Sequence, residues 1–200
     1  MRKPFDSEFR VSSPYGMRID PITGESAWHG GVDLVSANRN VRSVISGYVL
    51  QSRIVEDHND PTWEWGNYVA VAGDDGMLVY YCHLDRRIVQ QSQRIEEGQV
   101  IGIEGQTGRA TGVHLHFELR SWGAAQKDPC SYIGIPNTAG YVWKPPKPWE
   151  EQSSEWAREA VSWAVEKGIL KGRGGDDYAL HDPVTREELC VMLYRAREVL

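Results

Sequence analysis

Three prolines within five residues, Lys144-Pro145-Pro146-Lys147-Pro148, forbid a continuous helix or central strand at that point and split the 200-residue chain. The texture changes across the break. Before it, short apolar or β-branched runs recur at 48–50, 68–71, 78–82, 100–103 and 113–119. Turns such as Gly73-Asp74-Asp75-Gly76 and Gly105-Gln106-Thr107-Gly108 separate them, and no long stretch of helical period intervenes. The pattern predicts a mainly β, antiparallel domain over residues 1–143. A Pro-rich linker over 144–149 then leads to a small α-helical hairpin module over 150–200. Trp156, Ala160, Trp163 and Ala164 fall on one face of a helix that Ser153 or Ser154 can cap and Gly168 can end. Thr185-Arg186-Glu187-Glu188 has the form of a capping box opening a second helix, with Leu189, Met192, Leu193, Ala196 and Leu200 as its expected buried stripe. About 50 residues is close to the lower limit for an adequate core. The module is therefore expected to lean on the β domain, on a ligand, or on a copy of itself as a homo-oligomer.

Charge and apolar runs narrow the function classes. A net charge of −6 with no basic block disfavours nucleic acid as a partner. No apolar run approaches membrane-spanning length, so membrane insertion is not expected. The opening Met-Arg-Lys-Pro-Phe-Asp-Ser-Glu has two basic residues but no apolar core behind them, so synthesis in the cytoplasm without a secretory signal is expected. Cys82, Cys130 and Cys190 are odd in number and lack CxxC spacing, which suggests neither a disulfide framework nor a thiolate metal site. Cys82 and His83 are neighbours in a strand-like run and point to opposite faces, so Cys82 reads as packing rather than as a nucleophile.

The histidines carry the chemistry. His29-Gly30-Gly31-Val32-Asp33 sets an imidazole and a carboxylate four residues apart, and His114-Leu115-His116 sets two imidazoles two apart. On a strand, His114, His116 and Glu118 project from one face. Polar groups aligned on an otherwise apolar strand need partners or a metal. Two imidazoles and a carboxylate with a fourth position left to water form a common catalytic zinc arrangement, and one histidine of the pair, with His29 and Asp33, supplies it. Glycines at 30, 31, 105, 108 and 112 let backbone approach closely around these side chains.

Ser13-Pro14-Tyr15-Gly16-Met17-Arg18-Ile19-Asp20-Pro21-Ile22-Thr23-Gly24 followed by Trp28-His29-Gly30-Gly31-Val32-Asp33 resembles lysostaphin-type zinc endopeptidases, metallopeptidase family 23. The likeness runs on through Gly66-Asn67-Tyr68-Val69, Tyr81-Cys82-His83-Leu84, Gly98-Gln99-Val100-Ile101-Gly102 and 105–118, covering about residues 9–135. It implies an open antiparallel β-sheet groove and cleavage of peptide bonds in the stem or cross-bridge of bacterial peptidoglycan. It also implies His29, Asp33 and His116 as ligands of one Zn2+ per chain, with His83 and His114 as the unliganded catalytic pair. Zinc would lower the pKa of its water toward ~7 and polarise the scissile carbonyl. One of the two free histidines would take the water's proton, and one would donate to the oxyanion or leaving amine. Glu118 either orients a ligand or pairs with a neighbouring arginine.

The stretch 54–65 is longer and more acidic than a tight hairpin needs. It is expected at the rim of the groove, where Trp63 and Trp65, together with Asn67, are candidates to contact substrate. His58 there is expected to be solvated, and His181 has no assigned role.

The C-terminal part resembles a single S-layer homology module through 156–161, 166–172 and 185–188. That likeness implies binding of secondary cell-wall polysaccharide, with Arg186 and Trp156 as candidate glycan contacts; for Trp156 a core position is the stronger expectation. A wall hydrolase with a wall-binding module and no signal peptide looks like a phage or prophage endolysin, released to the wall by a holin-type pore. The alternative is a non-catalytic wall-binding or regulatory protein on the same fold, against which all five expected positions are filled.

Overall fold

The computed structural model describes residues 2–122, 126–145, 153–172 and 178–197. The chain separates into two compact units, Met1–Lys144 and Pro145–Leu200. The first is mostly antiparallel β-sheet, as the turn-punctuated runs predict. Its strands are β1 (Phe9–Ser13), β2 (Gly16–Ile19), β3 (Ser26–His29), β4 (Val32–Ser36), β5 (Asn40–Arg42), β6 (Gly47–Arg53) and β7 (Tyr68–Gly73). They continue with β8 (Met77–Cys82), β9 (Arg86–Arg87), β10 (Arg94–Ile95), β11 (Val100–Ile103), β12 (Leu115–Ser121), β13 (Gln126–Lys127) and β14 (Val142–Trp143). The main sheet runs β10-β6-β7-β8-β12-β4-β1-β14, with β13 pairing on β12. β5, β11 and β9 make a second sheet, and β2 and β3 stand apart as a hairpin. One helical turn, α1 (Pro129–Tyr132), starts at Asp128, whose side chain accepts from the Cys130 amide.

Period-2 alternation sorts the main sheet into two faces. Val32, Leu34, Val69, Val71, Val79, Tyr81, Leu115, Phe117 and Leu119 all point into one core, with Phe5, Phe9 and Ile101 packed there too. The residues between them point the other way. Tyr68, Ala70, Tyr80 and Cys82 form a smaller apolar cluster with Val55, against which Trp63 and Trp65 pack. Asp33, His116 and Glu118 lie on that second face. A slip of one residue in β12 would send its histidine and glutamate into the apolar core and expose Phe117, so the pairing is strongly specified.

One polar side chain breaks the core's chemistry. Glu104, just beyond β11, is fully buried, and neither carboxylate oxygen has a hydrogen-bond partner of good geometry. Burial pushes its pKa up to about 7, only partly offset by the Ser36 amide, the charge of Arg39 and the Leu115 amide. Folded Glu104 therefore keeps its proton at pH values where the unfolded chain, with an ordinary value of 4.5, has lost it. Stability attributable to this residue is present below about pH 4.5 and is lost as pH rises through about 7, by about 3 kcal/mol in all. Glu104→Gln is expected to unfold at a higher temperature than the parent at pH 8 and to lose that advantage at pH 4. Parallel thermal melts in chelator at the two pH values check this; an equal difference at both would show that Glu104 does not titrate on unfolding.

The second unit holds α2 (Arg158–Glu166), entered through a short 3-10 turn at Glu155–Ala157, and α3 (Arg186–Ala196). Ser154 takes the cap position of that turn without a side-chain bond, and Gly168, at φ 68°, follows the end of α2. The capping box forms as expected: Thr185 Oγ1 accepts from the Glu188 amide at 3.1 Å, and Glu188 accepts from the Thr185 amide at 2.8 Å. The expected buried stripes do not form. Trp156 is 89% exposed, and Trp163, Leu189 and Leu193 are exposed as well. Helical period selects a face, but among the described residues the pair of short helices supplies no second layer to cover it. Leu200, Gly174, Gly175 and linker positions 146–149 lie outside the described residues.

Candidate functional site

The site grows from strand register. In the β4–β12 pair His116 sits directly opposite Asp33, and in the β12–β8 pair it sits opposite Cys82. Residues 33, 116 and 82, far apart in the chain, thus form one row across the sheet. His29 ends β3, and the Gly30-Gly31 step carries the chain from the free hairpin into β4. A Cβ at Gly31 would lie 2.6 Å from the Phe117 carbonyl and 2.8 Å from the His116 ring, so only glycine lets the chain pass that close.

Three donor atoms converge on this floor. His29 Nε2 is 3.1 Å from Asp33 Oδ1 and 3.0 Å from His116 Nδ1, and His116 Nδ1 is 2.9 Å from Asp33 Oδ1. His29 donates Nδ1–H to the Pro14 carbonyl at 2.7 Å, which leaves a lone pair on Nε2 facing the other two atoms. His116 Nδ1 and Asp33 Oδ1 lie within hydrogen-bond distance, so a proton carried on Nδ1 is directed at the carboxylate. Burial alone would lower the His116 pKa, but hydrogen bonding to Asp33 and Glu118 overrides it and lifts the value to about 9. Burial would raise the Asp33 carboxyl, but the His116 and then the His29 imidazoles beside it hold it well below the usual carboxylate range. Two imidazole nitrogens and a carboxylate oxygen at these separations fit a tetrahedrally bound zinc ion, whose ligands at ~2.0–2.2 Å lie about 3.3 Å apart. His29, Asp33 and His116 also form the one group of this kind among the described residues.

Two more imidazoles flank the group. His83 donates Nδ1–H to the Thr107 carbonyl and His114 donates to the Gly112 carbonyl, both at 2.8 Å, so in the neutral tautomer of each ring Nε2 is the nitrogen with the lone pair. Their ring centroids are 4.6 Å apart, and His114 Nε2 is 3.6 Å from Asp33 Oδ1. His83 follows β8 in a left-handed conformation, φ 61°, which a histidine holds only when its surroundings demand it. They do: the Trp65 carbonyl accepts its amide, and the Asn67 carbonyl accepts the amide of Leu84. Burial, then the neighbouring His116 and His114, push the His83 pKa down to about 3, so its ring is neutral.

Glu118, almost fully buried, both faces His116 and pairs with an arginine, so the two readings of its role hold together. Its Oε2 is 3.7 Å from His116 Nε2, while Oε1 accepts from Arg120 Nε and from Gln126 at 3.0 Å. Gln126 in turn accepts from the Trp28 indole at 2.9 Å. Arg120 lies over the rings of Tyr80 and Trp65.

These residues open into a groove whose walls include Arg18, Trp28, Glu64, Trp65, Arg109 and Thr111. The loop after β6 reaches this rim through Glu64 and Trp65. Trp63 instead packs on the smaller apolar cluster and stacks on His58 at 4.2 Å, with His58 exposed. Asn67 serves the scaffold: its Oδ1 accepts the Val55 amide, and its own amide donates to Thr107 Oγ1. Arg186 and Trp156 are exposed in the second unit. The carbonyls of Pro14, Thr107 and Gly112 escaped sequence reasoning because any residue supplies a carbonyl. Gln126 was missed for want of a motif around it.

Residues 27–129 match Peptidase family M23, and residues 151–190 match the S-layer homology domain. The chain is 37% identical over 120 residues to the peptidoglycan DD-endopeptidase ShyA of Vibrio cholerae, covering 59% of this chain and 26% of that protein. It is 33% identical over 112 residues to the DD-carboxypeptidase/endopeptidase Mpg of Neisseria meningitidis, covering 56% of this chain and 24% of the relative. The chain thus spans about a quarter of the length of the curated relatives it matches. Among solved structures, an M23 peptidase from Pseudomonas aeruginosa superposes with a TM-score of 0.53 at 30% identity, over 68% of this chain and 51% of that one. The catalytic domain of lysostaphin from Staphylococcus simulans superposes at 0.50 and 25% identity, over 64% and 91%.

Proposed function

The chain belongs to peptidase family M23, and from that premise we propose that it is a zinc-dependent endopeptidase hydrolysing peptide bonds in the stem peptide or cross-bridge of bacterial peptidoglycan. The observation that carries the reading is the convergence of His29 Nε2, Asp33 Oδ1 and His116 Nδ1 within 2.9–3.1 Å, beside two further imidazoles in an open groove. His29, Asp33 and His116 would hold the ion. When bound, zinc supplies Lewis acidity that brings water toward deprotonation near neutral pH and polarises a carbonyl.

The remaining steps belong to the chain's own side chains. Of His83 and His114, one accepts the proton of the attacking water on its free Nε2 and the other donates to the developing oxyanion or the leaving amine. The backbone carbonyls at Thr107 and Gly112 keep both rings turned so that Nε2 faces the groove. Glu118, facing His116 Nε2, fixes that ring's orientation. Trp65 forms part of the wall along which a peptide lies.

In this proposal residues 1–143 are the catalytic domain and 144–149 a linker. Residues 150–200, which include the S-layer homology match, hold the enzyme on secondary wall polysaccharide at the cell wall. A wall hydrolase joined to a wall-binding module is the plan of an endolysin, and the proposal extends to that role. No helix among the described residues is long and apolar enough to cross a membrane.

The test is amine release from purified peptidoglycan before chelation, after chelation and after zinc is restored. Activity that vanishes with chelator and returns with one zinc per chain is the expected result. Persistent release in chelator, or none from several wall types despite bound zinc, would sink the proposal.

A further inference from the structure

Two cations line the groove beside the ligand group, and they are not equivalent. Arg109 is committed: both terminal nitrogens donate to Asp20, at 3.0 and 3.1 Å, and Asp20 is held well below the usual carboxylate range as a result. The Arg18 side chain has no hydrogen-bond partner among the described residues. Its nearest carboxylate oxygen is Asp33 Oδ2, 3.9 Å from Nη2, which is beyond hydrogen-bond reach. The side chain is 19% exposed and lines the groove, so its stem is covered by protein while its N–H groups stay accessible from the groove.

The hairpin explains the placement. Gly16 pairs with His29 and Arg18 pairs with Ala27, so Arg18 shares a face with His29, while Met17 and Ile19 point outward and are about two-thirds exposed. A planar fork with unused N–H donors, fixed by a strand next to the reacting centre, is a prepared receptor for a carboxylate. Connectivity then limits which carboxylate reaches it. The residue on the acyl side of a scissile α-peptide bond, as in a cross-link made by a C-terminal acyl donor, has spent its α-carboxyl in that bond. An α-carboxylate this close to the centre must belong to the residue that supplies the leaving amine.

We propose that Arg18 binds a free α-carboxylate on the leaving-amine residue, so that the groove selects bonds made to the amine of an amino acid whose own carboxyl is free. A direct cross-link onto the distal amine of a diamino dicarboxylic acid, whose amine-bearing carbon keeps its own carboxylate, offers that group; a cross-link onto a lysine side chain, or a glycine bridge peptide-bonded on both sides, does not. The proposal rests on the peptidase reading above and narrows its substrate.

The experiment uses the zinc-loaded full chain with diacetyl-lysyl-D-alanyl-D-alanine and its C-terminal carboxamide. The parent is expected to cut the carboxylate form with kcat/KM at least about tenfold higher. Arg18→Gln should bring it down to the carboxamide's level, mainly through KM, with the carboxamide rate and the zinc content unchanged, and Arg18→Lys should restore part of the preference. Equal slowing on both peptides, or loss of zinc, would overturn the proposal and make Arg18 a support for Asp33. Calorimetric titration of both peptides into zinc-free protein separates this from the peptidase reading. If neither peptide is cut yet the parent still binds the carboxylate more tightly and Arg18→Gln does not, the peptidase reading fails and the Arg18 assignment stands. Equal binding of the two peptides by the parent overturns it.

Discussion

Replacing His116 by alanine is expected to remove the metal and the activity together while leaving the fold and the wall-binding module in place. His116 is the hub of the site: its Nδ1 touches both Asp33 and His29, and its strand position places it between β4 and β8. Alanine keeps the β12 backbone and its pairing with both neighbours, so the sheet has no reason to rearrange. What remains is one imidazole and a buried carboxylate that has lost its main hydrogen-bond partner. Two ligands do not hold zinc against water, so the stoichiometry should fall from one per chain to near zero. Amine release should drop by a factor on the order of 10³ or more, since several kcal/mol of transition-state stabilisation go with the ion. Sedimentation with purified walls should be unchanged in this variant and reduced on deleting 150–200, which should in turn still cut soluble wall fragments. Zinc retained by His116→Ala would mean that the ligand set is drawn wrongly and that His83 or His114 belongs in it.

The alternation of 114, 116 and 118 with 115, 117 and 119 was legible because a strand has only two faces and burial separates them. The neighbours of that strand were not legible. β12 lies between β8 and β4, elements more than thirty and seventy residues upstream, and alternation alone does not say which strands adjoin. Without the family resemblance, His83 reads as a strand-end histidine; its left-handed backbone and its bond to Thr107 appear only once the loops meet. Trp63 and Trp65 show the limit differently. Two tryptophans in one turn pointed to the groove rim, and both pack on the smaller apolar cluster, yet of the two Trp65 alone also lines the groove while Trp63 stacks on His58. In the second unit, the residue types and spacing were right for Thr185 and Glu188, whose capping is local. They were misleading for Leu189, Leu193 and Trp163, whose burial depends on a cover that no local pattern specifies.

Substituting His83 or His114 should separate catalysis from metal binding. Neither ring belongs to the converging trio, and each is anchored from outside it through Nδ1, by Thr107 and Gly112. His114→Ala removes one proton acceptor or donor without touching His29, Asp33 or His116. At His83 the φ of 61° makes alanine a poor choice, and asparagine, which tolerates that conformation and cannot take up a proton, is the better variant. Each single variant should keep one zinc and lose amine release by roughly 10²- to 10⁴-fold, the range expected for a positioned acid or base. If the two act on the same proton-transfer sequence, as a centroid separation of 4.6 Å suggests, the double variant should be little worse than the poorer single one. Activity within a few-fold of the parent in both singles would remove the pair from the mechanism. Zinc lost from either would put that histidine in the ligand set, where its Nε2 already faces the groove.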